Sequence, residues 1–273
     1  MSIRSVLPTA TDSRPRRKEE RPMRTERVWI YALTLMLTVL LLTGGTAAAE
    51  TEGETGLERF VVYHGSRSSP RIAITMDDMF EREWAWKTAE LCKQYNIRIT
   101  YFPIGANLKE EDADEWRRLV ADGFEIGSHS QWHEGFHDIS AAVALGRLGH
   151  FQEQLDRVLG YHYPVRWFRP PFGNIADKNG SNEAMRRVLL RFGYEHALLW
   201  DVSQTEAKNA LLRVKNGSIL LFHARRKDYE CLETLIPQLL EAGFEPVTVS
   251  QLFGYPDPET GGEIFEYDYK NYK

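Results

Sequence analysis

The sequence predicts an α/β fold of parallel strands joined by crossover helices, and three observations carry that reading. Seven short strand-like runs recur between residues 71 and 249, helix-like stretches separate most of them, and five of the runs end on polar or ionisable groups. Repeated strand–helix alternation places successive strands in parallel. Seven strands suit a barrel better than an open sheet, although periodicity alone leaves the open sheet as an alternative.

The strand-like runs are 71–75 (RIAIT), 98–102 (RITYF), 124–127 (FEIG), 166–168 (RWF), 196–200 (HALLW), 218–222 (SILLF) and 246–249 (PVTV). Helices are expected at about 81–95, 110–122, 141–159, 182–192, 207–215 and 229–242. In the first of them Trp84, Thr88 and Leu91 recur at helical spacing. "ADGFEIG" and "EAGFEPV" each read as a helix stopped by glycine and passing quickly into a strand. Residues 50–69, polar and Gly/Ser-containing, are expected to be a linker, 70–254 a single domain, and 255–273 a solvated, Tyr-rich extension.

Residues 1–49 stand apart. The run 28–42, VWIYALTLMLTVLLL, is preceded by Arg24 and Arg27 and followed by Ala47-Ala48-Ala49, the three parts of a secretory signal. Its apolar core is short for a helix that crosses roughly 30 Å of hydrocarbon. Cleavage and export to the envelope or medium are expected, with an uncleaved N-terminal anchor as the alternative. Met23 gives a more ordinary signal than Met1. Residues 50–273 hold 26 basic and 35 acidic residues, a net charge of −9, which argues against nucleic acid or an anionic membrane surface as partner. Membrane contact is expected only through an uncleaved N-terminus. Cys92 and Cys231 fall in expected helices and make no disulfide framework; two buried free thiols are the favoured reading. The sequence sets no oligomeric state.

In α/β barrels the loops after the strands build the active site. Here the first strand ends in Asp77-Asp78 and the third runs into Ser128-His129, with His133 four residues on. The fourth ends in Arg169, the fifth at Trp200-Asp201, the sixth at His223. Each has an innocent reading alone; together they converge on one face. In "HSQWH" the imidazoles of His129 and His133, at i and i+4, lie on one side if the segment is a helical turn, and can share a metal. A carboxylate from another strand, Asp78, completes a His₂-carboxylate set with an open position, the zinc arrangement of hydrolases, and leaves Asp77 as a base. In "RPPFG" the prolines remove two backbone donors, so Phe172 carries the first free N–H after Arg169, held where an oxyanion could sit.

These motifs, in order, resemble those of the polysaccharide deacetylase family (carbohydrate esterase family 4, the NodB-homology domain). "TMDDM", "HSQWH", "RPPFG", a degenerate "WDVSQTEA" and "ILLFH" stand where that family has T-F-D-D-G, H-[ST]-x-x-H, R-P-P-[YF]-G, D-x-x-D-W and L-x-L-x-H. The resemblance covers about residues 70–252 and implies a distorted (β/α)₇ barrel acting as a metal-dependent N-deacetylase of an N-acetylglucosamine-containing glycan. It implies Asp77 as general base, Asp78, His129 and His133 as ligands of zinc (cobalt or nickel also suit the donors), His223 as general acid and Arg169 as the group orienting Asp77. Phe172, Pro171 and Trp132 are expected at the oxyanion and substrate positions. In the fourth motif Ser203, Glu206 and Ala207 stand where Asp, Asp and Trp are expected. Glu206 or Asp201 is then expected to orient His223, and Ala207 to leave one wall of the groove missing. Met79, in the place of glycine, is expected to narrow the mouth. A glycan binder without turnover and a hydrolase of another amide or ester are the competing readings.

Overall fold

The structure is a computed structural model that describes residues 60–175, 183–194 and 196–264. The expected signal or anchor, the first part of the linker and the end of the tail lie outside the described residues. The strands are β1 (Val61–Val62), β2 (Arg71–Asp78), β3 (Thr100–Pro103), β4 (Glu125–Ile126), β5 (Ala197–Leu198), β6 (Ile219–His223) and β7 (Glu245–Val247). The helices are α1 (Arg82–Gln94), α2 (Ala113–Ala121), α3 (Ala141–Leu159), α4 (Glu183–Arg191), α5 (Ala207–Leu211), α6 (Arg226–Glu241) and α7 (Val249–Leu252).

Every ladder is parallel: β2 pairs with β3, β6 and β7, β3 with β4, and β1 with β5. Parallel bridges Ser128–Phe168, Phe168–Ala197 and Val202–Leu220 complete a circuit from β2 through β3, β4, the 166–168 segment, β5 and Val202 to β6 and back. The barrel is therefore closed but distorted. The 166–168 segment makes only single bridges, and β7 shares one edge of β2 with β3, pairing Arg71–Ala73 while β3 pairs Thr75–Asp78.

Strand alternation sorts the side chains into two cores. Ile72, Ile74 and Met76 of β2, with Leu220 and Phe222 of β6, join the large cluster under the helices. Ala73 and Ile219 join Val62, Phe102, Trp167 and Leu198 in a smaller cluster. By the same period Thr75, Asp77 and His223 belong to the barrel-facing set. A Cβ on Gly127 would run into the Phe102 ring, so that close approach of β4 to β3 needs glycine.

The helices stop and start on local chemistry. Ser140 caps α3 by accepting from Val143 N–H, and Gly160, at φ 79°, ends it. Thr248 and Gln251 form a capping box on α7. Both cysteines are free and buried, as expected.

Two expectations about the ends need correction. Residues 60–69 are part of the fold, not linker: β1 pairs with β5, Gly65 N–H donates to Gly217 O at 2.8 Å, and Arg67 holds Asp201 at 2.8 Å. A strand of two residues is too short to leave an alternation signal. The start of the tail is likewise packed. Tyr255 sits edge-on to Trp167 at 5.7 Å, and His162 N–H donates to Gly262 O at 2.9 Å.

Candidate active site

The register between β2 and β6 sets Asp77 beside His223. Beneath them the Arg169 guanidinium is wholly buried, its Nη1 donating to Asp77 Oδ1 and to Thr75 Oγ1, both at 2.7 Å. Nε and Nη2 donate to the carbonyls of Leu198 and Leu199 at 3.3 Å, and the Phe102 ring lies 4.2 Å from the guanidinium carbon. Burial pulls the Arg169 pKa down and Asp77 opposes that shift. Asp77 Oδ1 is thus fixed, and Oδ2 is the oxygen that Arg169 does not engage.

Asp78 is turned differently. Strict alternation would send it toward the helices, but a φ of 72° breaks the strand there. Asn107 Nδ2 and the Ile104 N–H donate to its carbonyl at 2.8 and 3.3 Å, holding a conformation that costs of order 1–3 kcal/mol. Asp78, Met79, Ser130 and Phe172 are four of the six non-glycine residues at positive φ among the described residues, and all lie in the three loops of this site.

The HSQWH segment is a bent loop rather than a helical turn, with Ser130 at φ 67°. Gly105 and Ala106 N–H hold it by donating to Ser130 O and Gln131 O at 2.9 Å. His129 Nδ1 donates to the Arg169 carbonyl at 2.8 Å, which directs Nε2 into the site. His129 Nε2 and His133 Nε2 lie 3.4 and 3.5 Å from Asp78 Oδ1. Tetrahedral zinc with bonds of about 2.0–2.2 Å sets its ligand atoms roughly 3.4 Å apart, so the spacing fits a metal. Asp78 Oδ1 is buried with no hydrogen-bond partner, as a ligand oxygen awaiting a cation would be. Burial pushes the Asp78 pKa up, but the nearby imidazoles of His129, His223 and His133 outweigh it and the net shift is down. Burial shifts His133 down. Both shifts favour the ligand forms, carboxylate and neutral imidazole.

In the Pro171–Gly173 turn Phe172 adopts φ 61° and sets its ring edge-on to His133 at 4.3 Å. Among the described residues none accepts from the Phe172 N–H. Pro171 is buried. Gly173 has φ 65°, and a Cβ there would lie 3.0 Å from the Trp200 ring. Trp132 is exposed and turned toward α3, edge-on to His150 at 6.1 Å, beside an open groove of about 500 Å³ shared with Glu134, Gly146 and Arg147.

Residues 64–197 match the family model for polysaccharide deacetylase. That segment belongs to the polysaccharide deacetylase family. A peptidoglycan-N-acetylglucosamine deacetylase of Bacillus cereus is 24% identical over 198 residues, 70% of this chain and 71% of that protein. The protein YlxY of Bacillus subtilis is 23% identical over 203 residues; the match covers 70% of this chain but only 60% of that one. Among solved structures, a carbohydrate esterase family 4 pseudoenzyme from Bacillus anthracis superposes with a TM-score of 0.63 at 20% identity, covering 72% of this chain and 70% of its own. That likeness is one of fold, the (β/α)₇ barrel.

The deacetylase motifs up to Gly173 lie inside the matched segment; the fourth motif and His223 lie beyond it. There the structure corrects the sequence reading. Both oxygens of Asp201 are taken, Oδ1 by the Ile219 N–H and Oδ2 by Arg67 and Ser218. Glu206 is exposed at the start of α5, accepting from Asn209 at 2.7 Å. Among the described residues neither is hydrogen-bonded to His223. Met79 is fully buried in the core rather than in the mouth, so glycine's absence costs backbone strain and not space. Three site residues escaped the sequence reading. Thr75 was recoverable, being two positions before Asp77 on the same face. Arg225, with Nη2 3.7 Å from Asp78 Oδ2, and buried Asp228 follow His223 in a turn and a helix start, where no motif marks them.

Proposed function

We propose that this protein is an exported, metal-dependent N-deacetylase of a glycan containing N-acetylglucosamine, with zinc as the favoured metal and cobalt or nickel compatible with the same donors. The observation that carries the reading is the Asp77 carboxylate, locked by buried Arg169 one residue from an Asp78–His129–His133 group whose ligand atoms lie close enough to share a metal ion. A pure glycan binder has no use for a buried, charge-paired base.

A dication in that cluster supplies a Lewis-acidic centre that polarises the acetyl carbonyl and acidifies water. Asp77 Oδ2 takes the proton of the attacking water, oriented through the Arg169 bond to Oδ1. The Phe172 N–H donates to the oxygen on which charge develops. His223 Nε2, 4.0 Å from Asp78 Oδ2, gives a proton to the sugar nitrogen as the C–N bond breaks, so the amine departs neutral and acetate remains. Trp132 offers an aromatic face to neighbouring sugars.

Export, envelope or medium location and a cell-wall or surface glycan as substrate belong to the same proposal. Acetate release from N-acetylglucosamine oligomers, peptidoglycan and acetyl-xylan tests it, comparing zinc-loaded with chelator-stripped protein. Release from amino-sugar polymers that disappears with the metal and returns with it is expected. No release from any of them by protein holding zinc would overturn it.

A further inference from the structure

We propose that Asp228, in the first turn of α6, orients His223 by accepting a hydrogen bond from its Nδ1–H, in the role left open by the degenerate fourth motif. The proposal rests on the reading of His223 as general acid.

The imidazole must present one nitrogen to the leaving amine and have the other held. His223 Nε2 already faces the metal cluster, 4.0 Å from Asp78 Oδ2. Nδ1, across the ring, has no hydrogen-bond acceptor of its own among the described residues. The two carboxylates that the sequence offered for it are elsewhere: Asp201 clasps Arg67, Ser218 and the Ile219 N–H, and Glu206 is exposed on Asn209.

Asp228 fits the vacancy. Only two residues, Ala224 and Arg225, separate His223 from α6, and an acid at the third helical position can reach back over the first turn. Among the charged groups that bear on the Asp228 carboxyl, His223 is the strongest. First-turn acids normally sit in solvent, where they favour the helix dipole at little cost. This one is 3% exposed, and its Oδ1 is buried without a hydrogen-bond partner. Burial raises its pKa, against the pull of His223. A buried carboxyl with an unused oxygen is expensive unless it serves a neighbour, and the neighbour is the proposed acid.

Asp228→Asn keeps the shape and a helix-start acceptor while removing the charge. Two readouts separate positioning from structure. An N-acetyl sugar leaves as an amine and needs the proton from His223, whereas an aryl acetate leaves as a stable phenolate and does not. In the zinc-loaded protein the substitution is expected to lower kcat on N-acetylglucosamine oligomers by at least about 10-fold with KM little changed. Aryl acetate hydrolysis is expected to stay within about twofold, because the barrel and cluster are untouched. Nitrogen-15 NMR of the imidazoles, with His223 assigned through His223→Gln, reads the same contact without turnover. Wild-type His223 in its neutral form is expected to carry its proton on Nδ1, and Asp228→Asn to move it to Nε2. Equal losses on both substrates, or an unchanged tautomer, would overturn the proposal. If the wild type hydrolyses neither substrate, the deacetylase reading falls, and the tautomer still decides whether Asp228 holds His223.

Discussion

Asp77 and Asp78 are adjacent in sequence and opposite in role because one backbone angle separates them. Asp77 keeps the alternation of β2 and meets Arg169; Asp78 leaves it through φ 72° and meets His129 and His133. The sequence marked both carboxylates, but no pattern in it encodes that rotation. The Arg169–Asp77 pair is buried, so removing one partner strands a charge. Arg169→Leu is expected to cost about 3–5 kcal/mol, read as a fall in the urea midpoint, and to abolish turnover. Glu125 offers a pH test. It is fully buried, and burial raises its pKa above 4.5 against the hydrogen bonds from Ser250 and Thr100. The folded state then holds its proton more tightly than the unfolded chain. Its contribution to stability is present below the unfolded value and is lost as pH rises through the folded one. Unfolding free energy followed upward from acid should carry that decline, and Glu125→Gln should flatten it. Burial also pushes the Cys92 thiol up to about 12 and Cys231 to about 11. Neither should alkylate in the native protein at neutral pH, and both should react on unfolding, as mass spectrometry would count.

At the scale of elements, legibility followed length and period. The expected 141–159 helix is α3 to the residue, because nineteen residues of amphipathic spacing leave a strong signal. The 166–168 strand survives only as bridges, and β1, two residues long, left no signal at all. The HSQWH spacing suited a helical turn, yet the loop is bent by Ser130 and held by N–H groups from the residues after β3, a tertiary constraint absent from local sequence. Its two imidazoles converge all the same. RPPFG was readable because two prolines and a glycine state their own geometry. Gly173→Ala must enter φ 65° and press on Trp200 at 3.0 Å. It should cost about 1 kcal/mol or more and lower kcat by displacing the Phe172 N–H, measured against an unchanged metal content.

For the whole molecule, the closed circuit of strands explains why chemistry scattered from residue 77 to residue 223 meets at one mouth. The barrel and the convergence of Asp78, His129 and His133 were legible from order and spacing of motifs. The replacement for the fourth motif was not, since Asp201 was diverted to clasping the 60–69 segment and Asp228 carries no motif. A chain beginning at residue 70 would lose that clasp and β1, and should unfold at a lower temperature than one beginning at residue 50. Zinc at about a hundredfold excess over its Kd should add roughly 2.7 kcal/mol, and His133→Ala should remove most of that gain.

The most direct measurement is acetate release from N-acetylglucosamine oligomers by wild type and Asp77→Asn, with zinc content determined on the same samples. The expected result is comparable zinc in both proteins and turnover only in the wild type. Wild-type rates from Asp77→Asn, or no acetate from a zinc-replete wild type, would contradict a base-driven, metal-dependent deacetylase.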